Sequence, residues 1–109
     1  MKIVIVGASG TIGAAVSELL AQDHQVIRVG HSQGDARVDM RDPASIRALF
    51  EQVGSFDALV VASGSVAFNA LTEMTDEQWQ VGLQSKLMGQ INLTRAAIAH
   101  LSDRGSITL

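Results

Sequence analysis

Three equally spaced glycines lie near the start of the chain, in the segment GASGTIG at residues 7–13. A β-branched apolar run at residues 2–6 precedes them, and from Thr11 onward apolar residues recur at helical spacing. The N-terminus of a helix offers unpaired N–H groups and the positive end of the helix dipole, so such a junction suits an anion. Because glycines also let a phosphate approach the backbone closely, the segment predicts a pyrophosphate site rather than a plain structural turn.

Each position of this segment has an expected role in binding a dinucleotide. Gly7 would form the tight turn, Gly10 would permit close approach, and Gly13 would let the helix pack on the first strand. The same rim supplies three more candidate cofactor residues: Ser9, Thr11 and Ile12. A phosphate-binding loop of the triphosphate type is excluded, because it needs Gly-Lys-Ser or Gly-Lys-Thr where this chain has Gly-Ala-Ala at residues 13–15.

The end of the second predicted strand, at residues 25–30, indicates which dinucleotide is preferred. An acidic side chain there would bind the adenosine ribose and favour NAD. The chain instead has Gly30, His31 and Ser32, none of which repels a 2′-phosphate, and the last two could donate to one. We therefore expect NADP rather than NAD, unless His31 is only a solvated loop residue. Asp35 is the argument for NAD, but it lies several residues past the strand end.

Two further strand ends supply candidate cofactor contacts. The carboxylate of Asp39, after the short third strand, could accept a hydrogen bond from the adenine amine or merely end the strand in a turn. Ala62, Ser63 and Gly64 end the fourth strand. Open α/β sheets bind ligands outside the carboxyl ends of their strands, so these small residues would let the cofactor ribose lie against the backbone.

The remaining segments must hold these residues in place. Asp42 suits a helix N-cap before a proline, and Thr75 with Gln78 matches a capping box. Gly82 and Gly89 lie inside the last helix, where we expect a kink or a close packing contact. The pattern predicts helices over residues 11–22, 43–53 and 76–101, and strands over residues 2–6, 25–30, 36–39, 57–64 and 105–109.

This order of elements predicts an α/β fold with a parallel sheet covered on both faces. Only a loop joins the second and third strands, and parallel neighbours normally need a longer crossover. Periodicity alone therefore leaves open whether one of these two strands runs antiparallel.

The composition excludes several classes of function. A length of 109 residues allows one domain, and a net charge of −3 gives no reason to expect binding to nucleic acid or to an anionic membrane. No apolar run approaches the roughly 18 residues that would span a bilayer. The sequence has no cysteine, which excludes disulfides, thiolate catalysis and zinc–thiolate sites. We expect a cytoplasmic protein without a metal site.

Taken together, these motifs resemble the short-chain dehydrogenase/reductase family over essentially the whole chain. The matching segments are GASGTIG at 7–13, Val-Asp at 38–39, DALVVASG at 57–64, Trp79, KLMGQINLTRAA at 86–97 and GSITL at 105–109. The resemblance implies a Rossmann-type, doubly wound parallel sheet of strand order 3-2-1-4-5, truncated at the fifth strand. Residues 1–109 would then be the N-terminal, NAD(P)-binding part of an oxidoreductase that acts on a small carbonyl or alcohol and forms a homo-oligomer through its long helix.

The chain departs from the best-known branch of this family at several positions. That branch would have a glycine where this chain has Thr11. Here Gly10 takes the place of that glycine, as in atypical and extended branches of the family. Of the family's Asn-Asn-Ala-Gly segment, only Gly64 matches. Lys86 stands where the family has a structural and catalytic asparagine; it could reach the nicotinamide ribose or hold a water, or it could be an ordinary solvated residue.

The family's catalytic serine and Tyr-x-x-x-Lys pair follow the fifth strand, and this chain contains no tyrosine. Hydride transfer to a carbonyl needs a proton donor of suitable pKa beside it, so we expect this chain alone to bind nucleotide without turnover. Three hypotheses follow: part of an NADP-dependent reductase or dehydrogenase, a non-catalytic dinucleotide-binding module, or a truncated domain that depends on a partner.

Overall fold

The computed structural model describes all of residues 1–109. Its five strands are β1 (Lys2–Val6), β2 (Gln25–Gly30), β3 (Ala36–Arg37), β4 (Phe56–Val61) and β5 (Leu101–Thr108). Its four α-helices are α1 (Thr11–Leu20), α2 (Pro43–Val53), α3 (Asp76–Gly82) and α4 (Met88–Ala97). A 3₁₀ turn at Leu71–Glu73 precedes α3, and a π-helical turn at Leu83–Leu87 joins α3 to α4. None of these helices has the length and apolar character that crossing a membrane requires.

All strand pairs are parallel, in the order β3-β2-β1-β4-β5, which confirms the predicted α/β arrangement. The open question about the second and third strands is answered by a tight loop. Asp35 donates its backbone N–H to the carbonyl of Arg28 and accepts from the Arg28 N–H through its carboxylate, both at 2.8 Å. The chain thus returns along the edge of β2 and runs forward again with Ala36 opposite Val29, so no helix is needed.

The sheet is buried on both faces, which explains why β1 is a continuous apolar run rather than an alternating one. Val4 and Val6 belong to the larger cluster, which includes side chains of α2 and α4. Ile3 and Ile5 belong to a smaller cluster, against which α1 packs through Val16 and Leu20. The first strand is therefore held from both sides, directly below the glycine segment that follows it.

The predicted helix caps are present. The Asp42 carboxylate accepts from the backbone N–H of Ala44 at 2.9 Å, and Gly54 ends α2 in the left-handed region at φ 72°. At the start of α3, the Thr75 hydroxyl accepts from the Gln78 N–H, and the Gln78 side chain accepts from the Thr75 N–H. Two helix starts near the carboxyl edge of the sheet are thus fixed by local chemistry.

The long helix differs from its prediction. The prediction that the helix continues to Leu101 is wrong, because the helical segment ends at Ala97 and β5 begins at Leu101. The expected irregularity is present as the π-helical turn, which lies between Gly82 and Gly89. At Gly89 a Cβ would lie 3.0 Å from the Cβ of Met40, so this glycine also makes the predicted close packing contact.

The fifth strand begins four residues earlier than predicted, at Leu101, which pairs with Phe56. Regular pairing resumes at Ser106 opposite Ala58, so β5 advances five residues while β4 advances two. The extra residues form a bulge in which Arg104 has a φ of 65°. The tertiary pairing with Phe56, rather than local sequence, therefore ends the helix early.

Asp57 joins three segments at the edge of the sheet opposite the glycine segment. Its carboxylate accepts from the backbone N–H of Lys2 at 2.8 Å and from the hydroxyl of Ser102 at 2.7 Å. These two hydrogen bonds hold the pKa of Asp57 below its ordinary value of 3.8, and the one from Lys2 has the larger effect. Because the folded pKa is the lower one, the carboxylate stabilises the fold above about pH 4, and this contribution is lost as the pH falls through the folded value.

We expect Asp57→Asn to lower the free energy of unfolding at pH 7, and the deficit to shrink as the pH falls below about 4, since the wild-type carboxyl group then loses its own charge. Urea unfolding at pH 7 and pH 3 measures both values. Asp23→Asn is the control, because Asp23 is exposed in a turn. A deficit of equal size at both pH values would contradict a role for the charge.

Candidate functional site

A cleft of about 540 Å³ lies at the carboxyl edge of the sheet. This volume is within the range of small-molecule and cofactor sites. Four parts of the chain contribute to its walls: the β1–α1 segment (Val6, Gly7, Ser9, Gly10), the ends of β2 and β3 (Gly30, His31, Val38, Asp39, Met40, Arg41), the segment after β4 (Ala62, Ser63, Ser65), and α3 with the π-helical turn (Glu77, Gln80, Val81, Gln84, Ser85).

The cleft brings together most of the predicted cofactor residues. Those that line it are Gly7, Ser9, Gly10, His31, Asp39, Ala62 and Ser63. The others lie close by in the chain but are not part of its walls: Thr11, Ile12, Gly13, Ser32 and Gly64. Thr11 and Ile12 are exposed in the first turn of α1, and Ser32 is exposed in the β2–β3 loop.

Contacts within the chain require two of the three glycines. Gly7 has a φ of 87°, and a Cβ there would lie 2.7 Å from the Cβ of Ser63. A Cβ on Gly13 would overlap the carbonyl oxygen of Gly7 and lie 2.7 Å from its carbonyl carbon. The structure therefore gives Gly7 the turn and Gly13 the helix–strand packing that the sequence predicted.

Gly10 differs from both, because nothing in the chain requires a glycine there. Its φ is −73°, and the nearest atom to an added Cβ would be the Gly7 oxygen at 3.5 Å, an ordinary contact. Gly10 is the N-cap of α1, and no side chain caps this helix. The N–H groups of the first turn have no intrahelical acceptor, so they are available to a ligand beside an exposed, bare backbone.

Asp39 is held by a neighbour that sequence reasoning did not single out. Arg41 donates to its carboxylate from Nε at 3.1 Å, from the guanidinium Nη2 at 3.2 Å and from the backbone N–H at 3.0 Å. These bonds lower the pKa of Asp39 and raise that of Arg41. Asp39 is thus an ionised hydrogen-bond acceptor in the wall of the cleft.

The end of β2 presents no carboxylate to the cleft. Asp35 is engaged with the backbone of Arg28, as described above, and does not line the cleft. Gly30 and His31 occupy the strand end instead. The one acidic residue that argued for NAD therefore has a structural role in the β2–β3 loop.

Lys86 does not line the cleft either. Its side chain packs over Gly64, where a Cβ would lie 2.6 Å from the Lys86 Cδ. The π-helical turn instead places the preceding residue, Ser85, in the wall of the cleft. Ser85 is buried, and its hydroxyl oxygen accepts from the Ser65 N–H at 2.9 Å, which anchors the segment after β4. Sequence reasoning missed Ser85 because the expected irregularity between Gly82 and Gly89 does not indicate which side chain it turns towards the cleft.

A sequence profile of the family described as short chain dehydrogenase matches residues 1–108. The chain belongs to the short-chain dehydrogenase family. An uncharacterized NAD-dependent oxidoreductase of Mycobacterium tuberculosis is 33% identical over 106 residues, which cover 93% of this chain and 38% of the relative. This short-chain dehydrogenase sequence thus spans less than half of the length of that relative.

Solved structures share the fold. The crystal structure of the protein lin1944 from Listeria innocua superimposes with a TM-score of 0.96 at 48% identity, covering 98% of this chain and 54% of that one. A small-chain dehydrogenase in complex with NADPH gives a TM-score of 0.89 at 24% identity, covering 98% of this chain and 48% of that one. The strand order and the helix positions of this chain are therefore those of a known architecture.

Proposed function

We propose that the chain is the dinucleotide-binding part of an oxidoreductase that prefers NADP(H) and interconverts a small carbonyl compound and the corresponding alcohol. The observation that carries this proposal is Gly10, a helix N-cap that has space for a side chain, lacks one, and faces the cleft. A ligand that must touch the backbone explains a glycine that the fold does not require.

The binding mode follows from the walls of the cleft. The pyrophosphate would lie over Gly10, against the hydroxyl of Ser9 and the N–H groups of Thr11 and Ile12. The adenosine would extend towards His31, Ser32 and Asp39, at the ends of β2 and β3. The nicotinamide end would lie along three small residues after β4: Ala62, Ser63 and Gly64.

The preference for NADP(H) rests on the end of β2. His31 and Ser32 can donate to a 2′-phosphate, and Asp35 is engaged elsewhere. A structural neighbour is in complex with NADPH, whereas the Mycobacterium relative is named NAD-dependent. The local residues therefore support the choice more than the relatives do.

When bound, the nicotinamide group donates or accepts a hydride. The residues of this chain would bind and orient the cofactor, and Lys86, which packs over Gly64, is the candidate for a contact to the nicotinamide ribose. These 109 residues contain no tyrosine, so they do not include a Tyr-x-x-x-Lys pair. We infer that this chain alone binds the cofactor without catalysing the reaction, and that the whole protein acts in the cytoplasm.

Calorimetric titration with NADPH and NADH tests the proposal. We expect binding of both, with a lower Kd for NADPH, and no consumption of NADPH with simple aldehydes and ketones. Heat with neither coenzyme from folded protein would overturn the function and leave a partner-dependent scaffold. A non-catalytic dinucleotide-binding module is the second candidate, favoured by the missing tyrosine; carbonyl reduction by the whole gene product would exclude it.

We also propose a homo-oligomer formed through α3, the π-helical turn and α4. This segment exposes six large apolar side chains: Trp79, Val81, Leu83, Leu87, Met88 and Ile91. Exposed apolar side chains that form a contiguous patch mark protein–protein contacts. Analytical ultracentrifugation at micromolar concentration should give a dimer or larger species, and a clean monomer would overturn the proposal.

A further inference from the structure

Residues 63–68, the strap, lead from the end of β4 towards the 3₁₀ turn along one wall of the cleft. They form no helix or strand, and Ser63 and Ser65 line the cleft. The two larger apolar side chains of the strap, Val66 and Phe68, are exposed. The strap therefore buries little apolar surface that would hold it in place.

The two ends of the strap are fixed by hydrogen bonds of their neighbours. Before it, the Ala62 N–H donates to the carbonyl of Val6 at 2.8 Å. After it, the side chain of Asn69 accepts from the Ala70 N–H at 2.8 Å and donates to the carbonyl of Glu73 at 3.2 Å. The sheet and the 3₁₀ turn thus hold both ends, whatever happens between them.

Between these ends, one hydrogen bond joins the strap to the rest of the chain. The Ser65 N–H donates to the Ser85 hydroxyl oxygen at 2.9 Å, and no other hydrogen bond within the chain involves residues 63–68. Ser85 is 7% exposed, and the π-helical turn places it in the wall of the cleft. The position of the strap therefore depends on a single buried hydroxyl group.

We propose that Ser85 is a positioning residue for the bound dinucleotide, because its hydroxyl holds the strap where the nicotinamide half of the cofactor would lie. This inference rests on the proposed function, which places that half along Ala62, Ser63 and Gly64. Without the hydrogen bond, a ligand would have to order the strap as it binds, and the entropy lost in doing so would weaken its affinity. The adenosine half would lie at the ends of β2 and β3, so its binding would not depend on the strap.

Ser85→Ala removes the hydroxyl and should have two effects. In the free protein, NMR should show the amide proton of Ser65 exchanging at least about tenfold faster than in the wild type, since the N–H has lost its acceptor. In calorimetric titrations, NADPH should bind about threefold to tenfold more weakly, the usual effect of one lost hydrogen bond. The fragment 2′,5′-ADP, which contains only the adenosine half, should bind within about twofold of the wild type.

Ser17→Ala is the matched control, because Ser17 is also a buried serine in a helix but its hydroxyl has no hydrogen-bond partner in the chain. It should leave the exchange rate and both affinities unchanged. Ser85→Thr keeps a hydroxyl and should keep most of the affinity for NADPH. Ser65→Pro breaks the same hydrogen bond from the side of the strap, since proline has no N–H. It should weaken NADPH selectively as well, which tests the proposal independently of any effect of Ser85→Ala on folding.

The outcomes separate this inference from the function beneath it. If the wild type binds NADPH and Ser85→Ala binds it equally well, the strap does not position the cofactor and the cofactor assignment stands. Equal weakening of NADPH and 2′,5′-ADP would overturn the inference too, because the effect would then not be confined to the nicotinamide half. A Ser65 amide that exchanges at the wild-type rate in Ser85→Ala would mean that the hydroxyl does not hold the strap. If the wild type binds neither NADPH nor 2′,5′-ADP, both proposals fail.

Discussion

Replacing Gly13 with alanine should abolish dinucleotide binding and lower the free energy of unfolding by about 1–3 kcal/mol, the usual cost of overpacking a close contact. The added Cβ would meet the carbonyl group of Gly7 and lie 3.1 Å from the Cα of Ala8. These are backbone atoms, so no side-chain rotation relieves the overlap. Alanine normally stabilises a helix relative to glycine by about 1 kcal/mol, which is too little to offset a displaced helix start.

Urea unfolding and calorimetric titration with NADPH measure the two effects of Gly13→Ala. Gly82→Ala is the matched control, because it makes the same change in a helix where the nearest atom to the new Cβ would be a Val66 methyl group at 3.5 Å. The control should be as stable as the wild type or slightly more stable, and should bind equally well. Wild-type stability in Gly13→Ala would contradict the packing role assigned to this glycine.

Much of the fold could be predicted from the sequence because its signals are local. Asp42 and Thr75 cap their helices through hydrogen bonds to residues two and three positions away, and neither depends on the rest of the molecule. The buried run of β1 likewise indicates burial on both faces without reference to its neighbours. For helices and strands of this kind, the predicted ends agree with the structure to within a few residues.

The parts that the sequence did not predict depend on how segments of the chain pair with one another, whether the segments are distant or near in the sequence. The end of the last helix is set by the pairing of Leu101 with Phe56, a residue 45 positions earlier in the chain. The direction of β3 could not be deduced from periodicity, because it depends on how Asp35 folds back on Arg28. Neither pairing changes the hydrophobic periodicity of the segments involved, which is the signal that a short stretch of sequence provides.

The candidate site shows the same division. The backbone of the glycine segment can be predicted from residue type. Only glycine fits the φ of 87° at Gly7 beside Ser63, and only glycine fits the close contact that Gly13 makes beneath α1. Side-chain directions cannot be predicted in this way. The π-helical turn places Ser85 in the wall of the cleft, and Arg41 lines the cleft beside Asp39, to which it donates three hydrogen bonds. Sequence reasoning therefore located the cleft and missed some of the donors around it.

Gly10→Ala should separate binding from folding. Its backbone is in a region that any residue adopts, and its added Cβ would find ordinary contact at 3.5 Å, so the change should cost less than about 1 kcal/mol of stability. The same methyl group would stand between the helix N-terminus and a pyrophosphate. We expect the Kd for NADPH to rise at least about tenfold, the equivalent of one charge-assisted hydrogen bond.

Thermal unfolding and titration of Gly10→Ala, measured beside Gly13→Ala, give a distinctive pair of results. Gly13→Ala should lose both stability and affinity, whereas Gly10→Ala should lose affinity alone, because only the first glycine is required by the chain itself. Unchanged affinity in a folded Gly10→Ala protein would mean that no phosphate approaches this backbone. Marked unfolding of the same variant would mean instead that the fold, and not a ligand, requires the glycine, and the main support for a dinucleotide site would be removed.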